Sequence, residues 1–163
     1  FTMIKQGAAD TDGDGIPDAY EMSHGLDRKN PSDAATVIAG SSGLTNFLEF
    51  AFGLSPHVND SNPVQVDVPG AVLTQRGTPA VWYQTTTNGT DFRVIFIRRK
   101  DAADVGLVYT PQFSGDLLTW ANSSVTPTVV ADGGEVEAVS IDYPFFVAGQ
   151  KARFFRVAVS TTH

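Results

Sequence analysis

Cysteine is absent from the 163 residues, which excludes disulfides, thiolate metal sites and cysteine nucleophiles together. Basic residues are few: eleven Lys and Arg stand against eighteen Asp and Glu, a formal charge of −7. Such a chain lacks the concentrated cations that hold nucleic acid by phosphate neutralisation. Apolar runs are short, and none approaches the roughly 20 residues that a membrane-spanning helix needs. Catalytic signatures are missing as well. The three histidines, His24, His57 and His163, are scattered along the sequence, and no Gly-x-Ser-x-Gly elbow, His-Glu-x-x-His helix or phosphate-binding loop occurs. A glycosidase needs two carboxylates facing each other across a cleft, whereas Glu135 and Glu137 are alternate residues of one apparent strand. The reading is therefore non-enzymatic. What remains is 42% hydrophobic and 18% charged, enough to bury a core, in a length that suits one domain with at most a small appendage.

Charge divides the chain unevenly. Residues 1–62 hold nine acids and three bases, a net of −6, and residues 63–163 hold nine acids and eight bases, a net of −1. The polar, proline-flanked stretch Ser55 to Pro63 reads as the linker between them. The second region predicts strands over Gln65–Val68, Ala80–Thr86, Phe92–Arg99, Gly106–Phe113, Thr128–Ala131, Val136–Ile141 and Arg153–Ser160, separated by Gly, Asn and Asp turn signals. About seven short strands at this spacing, with no crossover helix, predict a mainly β fold with an antiparallel β-sandwich. In Phe92–Arg99 both faces are apolar: Phe92, Val94 and Phe96 point one way, Ile95 and Ile97 the other. The Ile95 and Ile97 face is expected to lie under the N-terminal module, or else to serve another subunit.

The densest signal lies in residues 1–62, where Asp10 to Glu21 reads Asp-Thr-Asp-Gly-Asp-Gly-Ile-Pro-Asp-Ala-Tyr-Glu. Set against a twelve-residue EF-hand loop, Asp10, Asp12 and Asp14 take positions 1, 3 and 5, and Gly15 takes the sharp turn at position 6. Ile16 offers its carbonyl at position 7, Asp18 falls at position 9, and Glu21 at position 12 is able to chelate with both oxygens. That many hard oxygen ligands suit Ca²⁺ over Mg²⁺ or a transition metal. An acidic solvated loop would require neither Gly15 nor Glu21 at those places. A short helix, Asp18 to His24, follows and stops at Gly25, a natural left-handed cap. Residues 38–49 align with this loop so that Gly43, Leu44, Asn46 and Glu49 match Gly15, Ile16, Asp18 and Glu21. The leading carboxylates are replaced by Ile38, Gly40 and Ser42, so this second loop is not expected to bind calcium well alone. Its helix, Thr45 to Phe52, is apolar nearly all round and so is expected to be buried.

The segment Asp10 to Asp27 resembles the calcium repeats of the thrombospondin type 3 and dockerin families. Paired with Gly43 to Pro56, it is similar to C-terminal regions of large secreted proteins of Verrucomicrobia and Planctomycetes. In those regions the loop and helix pair precedes a small β domain with a Ser-x-Asp-Leu-x-x-Trp pattern and an Arg-Phe-x-Arg-Val ending. Here the two patterns are Ser114 to Trp120 and Arg153 to Val157, with Phe96 to Ser114 leading into the first. The resemblance implies an extracellular or bacterial cell-surface location and no reaction. Dockerins offer a cohesin-binding face built from two matched loops, and this chain has lost the second.

Two uses are open to such a chain. One is a calcium-stabilised structural or adhesion module that self-associates, even into a filament, through the Ile95 and Ile97 face or by adding the alternating segment Phe1 to Ile4 to a neighbour's sheet edge. The other is a carbohydrate-binding or anchoring appendage of a larger secreted enzyme, for which Trp82, Tyr83, Tyr109 and Trp120 would stack on sugar rings.

Overall fold

The computed structural model describes residues 8–67 and 69–162. Phe1 to Ile4 lies outside the described residues, as does Val68 at the end of the first expected strand. The chain is mainly β, with antiparallel sheets and two short helices, α1 (Asp18–His24) and α2 (Asn46–Ala51). No helix among the described residues is long and apolar enough to cross a membrane.

Eleven strands follow the helices: β1 (Gln65–Asp67), β2 (Val72–Gln75), β3 (Ala80–Thr86), β4 (Gly89–Arg99), β5 (Leu107–Ser114), β6 (Ala121–Asn122), β7 (Thr128–Asp132), β8 (Val136–Asp142), β9 (Phe146–Val147), β10 (Gln150–Lys151) and β11 (Phe154–Thr161). A four-stranded sheet runs β3-β4-β8-β7 and a three-stranded sheet runs β11-β5-β6. Their long registers are continuous, Arg93↔Asp142 to Arg99↔Val136 in one and Phe154↔Ser114 to Thr161↔Leu107 in the other. The sheets meet in a sandwich-like arrangement. Val94 and Ile141 of the first pack with Phe113 of the second, and the Phe96 and Tyr109 rings stack at 6.3 Å. Each fully buried side chain of this size contributes about 1.5–3 kcal/mol.

The central strand β4 is buried on both faces, as its sequence requires, but the cover on its second face is not the N-terminal module. Ile95 and Ile97 are 3% and 0% exposed beneath the β1–β2 hairpin, in a cluster with Val64, Val136 and Ala138 flanked by Val66 and Leu73. The chain closes this face itself, so Ile95 and Ile97 are not a surface for another subunit. The sequence pattern hid the hairpin because β2 is short and sits between Gly70 and Gly77.

The module packs instead where β5 and β11 meet. Ile16, Ala34, Phe50 and Ala51 form one cluster with Val105 and Leu107, with Tyr109 and Val159 against it. The Tyr109 hydroxyl donates to the Ala51 carbonyl, and the Arg99 guanidinium lies 4.5 Å from the centre of the Phe50 ring. Within the module the Tyr20 ring meets Phe50 edge-on at 4.8 Å, and the Tyr20 hydroxyl donates to the Leu54 carbonyl.

Candidate metal centre

Helix α1 starts after Pro17, whose φ of −66° suits the position, and ends at Gly25 with φ +68°. The loop before it turns at Gly15, with φ +93°. A Cβ there would lie 2.4 Å from Thr161 Cγ2 and 3.0 Å from the Phe47 ring. Gly15 is thus required twice, for its backbone angle and for the close approach of the loop to β11 and α2.

The carboxylates of the loop divide their oxygens between two tasks. Asp12 Oδ1 accepts from the Asp14 amide at 3.3 Å, and Asp14 Oδ1 accepts from the Ile16 amide at 2.8 Å. Their other oxygens, Asp12 Oδ2 and Asp14 Oδ2, are buried and have no partner. Asp33 repeats the pattern, with Oδ2 accepting from the Asp27 amide at 2.8 Å and Oδ1 buried and unpartnered. Glu21 is 0% exposed, and neither of its oxygens has a partner. Asp10 accepts from the amides of Gly13 and Gly15, at 2.8 and 3.0 Å. Ligand oxygens of Asp10, Asp12 and Asp14 lie within 4.8 Å of one another, and so do those of Asp14, Glu21 and Asp33.

The loop sequence therefore brings together Asp10, Asp12, Asp14 and Glu21, with Ile16 seated in the core beneath them. Asp18 is placed differently. Its two oxygens accept from the Thr11 amide and hydroxyl, both at 2.7 Å, and Arg28 reaches it at 3.4 Å. These bonds, the Thr11 hydroxyl foremost, hold its carboxyl below the usual range. Asp33 has no counterpart in the twelve-residue pattern. It enters from the turn Asn30 to Asp33, closed by the Asp33 amide donating to the Asn30 carbonyl. The only hint in the sequence is an acid in the loop between the helices.

The electrostatics follow from burial. Desolvation, then the charges of Asp14, Asp12 and Asp33, push Glu21 up to about 7. Desolvation, and after it the neighbouring aspartates against a bond from Ile16, pushes Asp14 up to about 6. Asp12 is raised too, by burial first. Five buried carboxylate oxygens with no hydrogen-bond donor are a large desolvation cost for one small loop. A cation among them would lower that cost, and each of the two oxygen-only groups, which share Asp14, could hold a metal ion.

The other expected functional residues scatter. Trp82 packs on the Ile95 cluster, and Tyr109 is tied to Ala51. Trp120 donates to the Leu117 carbonyl beneath the Arg156 guanidinium, 4.1 Å from its ring centre. Of the four aromatics only Tyr83, 65% exposed, faces solvent broadly, so they form no common stacking platform. The Ser114 to Trp120 pattern is a turn. Ser114 Oγ accepts from the Asp116 and Leu117 amides, and Asp116 Oδ1 accepts from those of Leu118 and Thr119. Glu137 is paired with Arg98 across the strands at 2.6 Å. His57 and His24, far apart in sequence, come together, with His57 Nε2 2.6 Å from the His24 carbonyl. No known family model, curated protein or solved structure matches this chain.

Proposed function

We propose that the chain is a non-enzymatic, calcium-stabilised structural module of a secreted or cell-surface protein, in which the ion sets the junction between the helical module and the sandwich. The observation that carries this reading is the clustering of Asp12, Asp14, Glu21 and Asp33: each aspartate has one oxygen accepting from a backbone amide and the other buried without a partner, and both Glu21 oxygens are unpartnered. Oxygen-only donors of this number and charge suit Ca²⁺. The residues that position them are also junction residues: Gly15 lies against Thr161 of β11, and Ile16 packs with Phe50 and Leu107. Binding the ion and docking the module are thus one event.

Extracellular sites of this kind bind calcium at about 10⁻⁴ to 10⁻³ M, which keeps the site filled outside a cell and vacant inside one. A site of about 10⁻⁴ M in about 1 mM calcium stabilises the fold by about 1.4 kcal/mol. The test is thermal unfolding of Glu21→Gln and Asp12→Ala in calcium and in excess chelator. Both variants are expected to melt lower than the parent in calcium, and no lower than the parent in chelator, where removing a buried unpaired carboxylate relieves repulsion. Equal losses in the two buffers would overturn the reading.

A further inference from the structure

Strand β3 is an edge of the four-stranded sheet and pairs with β4 alone among the described residues. The Val64 amide donates to the Thr78 carbonyl just ahead of it, and that pairing does not continue along the strand. Edge strands are ordinarily guarded against pairing with another chain by charge, proline, bulges or short length. The other edges carry such guards. Strand β7 follows Pro127 and is bulged between Val129 and Ala131, and β6 has two residues. Strand β11 carries Arg156 and meets the acidic loop at Thr161. The seven residues of β3 include no charge and no proline, and their register runs unbroken from Ala80↔Ile95 to Thr86↔Gly89.

Beside this open edge lies an apolar ledge. Trp82 packs on the Ile95 cluster, on the side of the β1–β2 hairpin. Val81 and Tyr83 point the other way, with Val94 and Phe92 as their partners across the strand pair. Val94 is fully buried in the sandwich, yet Val81 and Tyr83 are each more than half exposed. The second sheet therefore covers β4 and stops short of β3. The Tyr83 ring lies 6.0 Å from that of Phe92, and Phe92 shares a cleft of about 320 Å³ with Tyr143, Phe145, Phe146 and Lys151. Phe145 and Phe146 are largely exposed. At about 200 Å² for each aromatic side chain, the ledge offers roughly 500 Å² of apolar surface. That is large for a monomer and is most of the roughly 800 Å² that each partner gives to a stable interface.

The charges bordering the ledge cancel. Asp91 and Asp142 both pair with Arg93, at 2.9 and 3.1 Å, and Lys151 balances the acid left over. In a chain of −7 this patch is neutral, so like surfaces meet there without repulsion. A lone peptide strand would satisfy the edge and bring nothing to cover the ledge, whereas a second copy brings both. We propose that two copies of this chain dock across a twofold axis with their β3 strands antiparallel, joining the four-stranded sheets into one of eight. The same edge and the same ledge serve on each side, as a twofold contact requires. This contact lies in the β domain and does not rest on the calcium reading.

Sedimentation velocity of the full chain, from micromolar to millimolar concentration in calcium and again in chelator, tests this. The parent is expected to pass reversibly from monomer to dimer in both buffers. Tyr83→Lys sets like charges together at the joined edge, and Phe146→Ser strips the ledge. Each should weaken the dimer about tenfold or more, with the melting temperature of the dilute protein unchanged. Val129→Lys, at an exposed residue of the opposite edge strand β7, should leave the dimer intact. Amide hydrogen exchange needs no variant: the β3 amides of the parent should become more protected as concentration rises. A chain that stays monomeric throughout overturns the proposal and leaves the edge to a strand of another protein. Open-ended larger species overturn it as well, as does a dimer whose β3 protection does not change with concentration.

Discussion

The sandwich and the module bury different chemistry. On β4 and β8 the fully enclosed side chains include Val94, Phe96, Ile97, Val136 and Val139, and among the described residues the only buried polar ones of the β region are Ser114 and Ser140. In the module Ile16, Phe50 and Ala51 share the interior with Asp18, Glu21, Asn46 and Glu49. Three of those four polar residues, Glu21, Asn46 and Glu49, keep at least one oxygen without a partner. An apolar core is complete once the chain has folded. A core that encloses unpaired carboxylates is complete only with a counter-ion. On the proposed calcium reading, one half of the molecule owes its stability to its sequence alone, and the other makes its stability depend on the solution outside.

The largest expected effect checks the unconditional half. Phe96→Ala removes a side chain with 0% exposure that stacks on Tyr109, and losses of this type are about 3–5 kcal/mol. Chemical denaturation should give the same loss in calcium and in chelator. A loss that changed with calcium would show that the ion acts on the sandwich core, and the contrast between the halves would collapse.

The second effect uses pH to expose the behaviour of the module. In chelator, Glu21 is raised from 4.5 to about 7 and Asp14 from 3.8 to about 6. The folded state therefore binds these protons more tightly than the unfolded one. Stability from this source is fully present below the unfolded values and is lost as pH rises through the folded ones. For Glu21 the loss is on the order of 3 kcal/mol between about pH 4 and about pH 8. In calcium the ion must displace the same protons, so its stabilisation should grow over that interval. Denaturation midpoints should therefore fall steeply with rising pH in chelator and fall less steeply, or level off, in calcium. Parallel slopes would mean that no ion meets these carboxylates.

Much of this was legible in the residues, for reasons that can be named. Helix α1 falls at Asp18–His24 as its loop and Gly25 dictate, and β3 falls at Ala80–Thr86, because caps and β-branched runs act locally. Strand β4 begins at Gly89, three residues before its apolar run, because register with Thr86 continues the pairing through polar Thr90 and Asp91. Strands β6, β9 and β10 have two residues each, too few to carry a pattern. The hairpin over Ile95 was hidden since alternation shows that a face is covered without showing by what. Asp33 was hidden for a related reason. A ligand from outside a loop has no fixed spacing to it, and only the fold brings it near.

Asp18 gives the smallest effect and the sharpest one. An EF-hand spacing assigns it to the ion, whereas its two oxygens accept from the Thr11 amide and hydroxyl. Those bonds tie the second residue of the loop to the first turn of α1, so Asp18 shapes the loop before any ion arrives. Asp18→Ala removes two hydrogen bonds whose Thr11 donors sit at an exposed residue where water can replace the lost acceptors, and about 1 kcal/mol is the expected cost. A scaffold residue loses that amount equally in calcium and in chelator, whereas a ligand loses it in calcium alone. Thermal unfolding of Asp18→Ala beside Glu21→Gln in both buffers therefore separates the residue that builds the site from the residue that binds at it. If the two variants behaved alike, Asp18 would have to leave Thr11 when calcium binds, and the loop would be rebuilt by its ion and not merely filled by it.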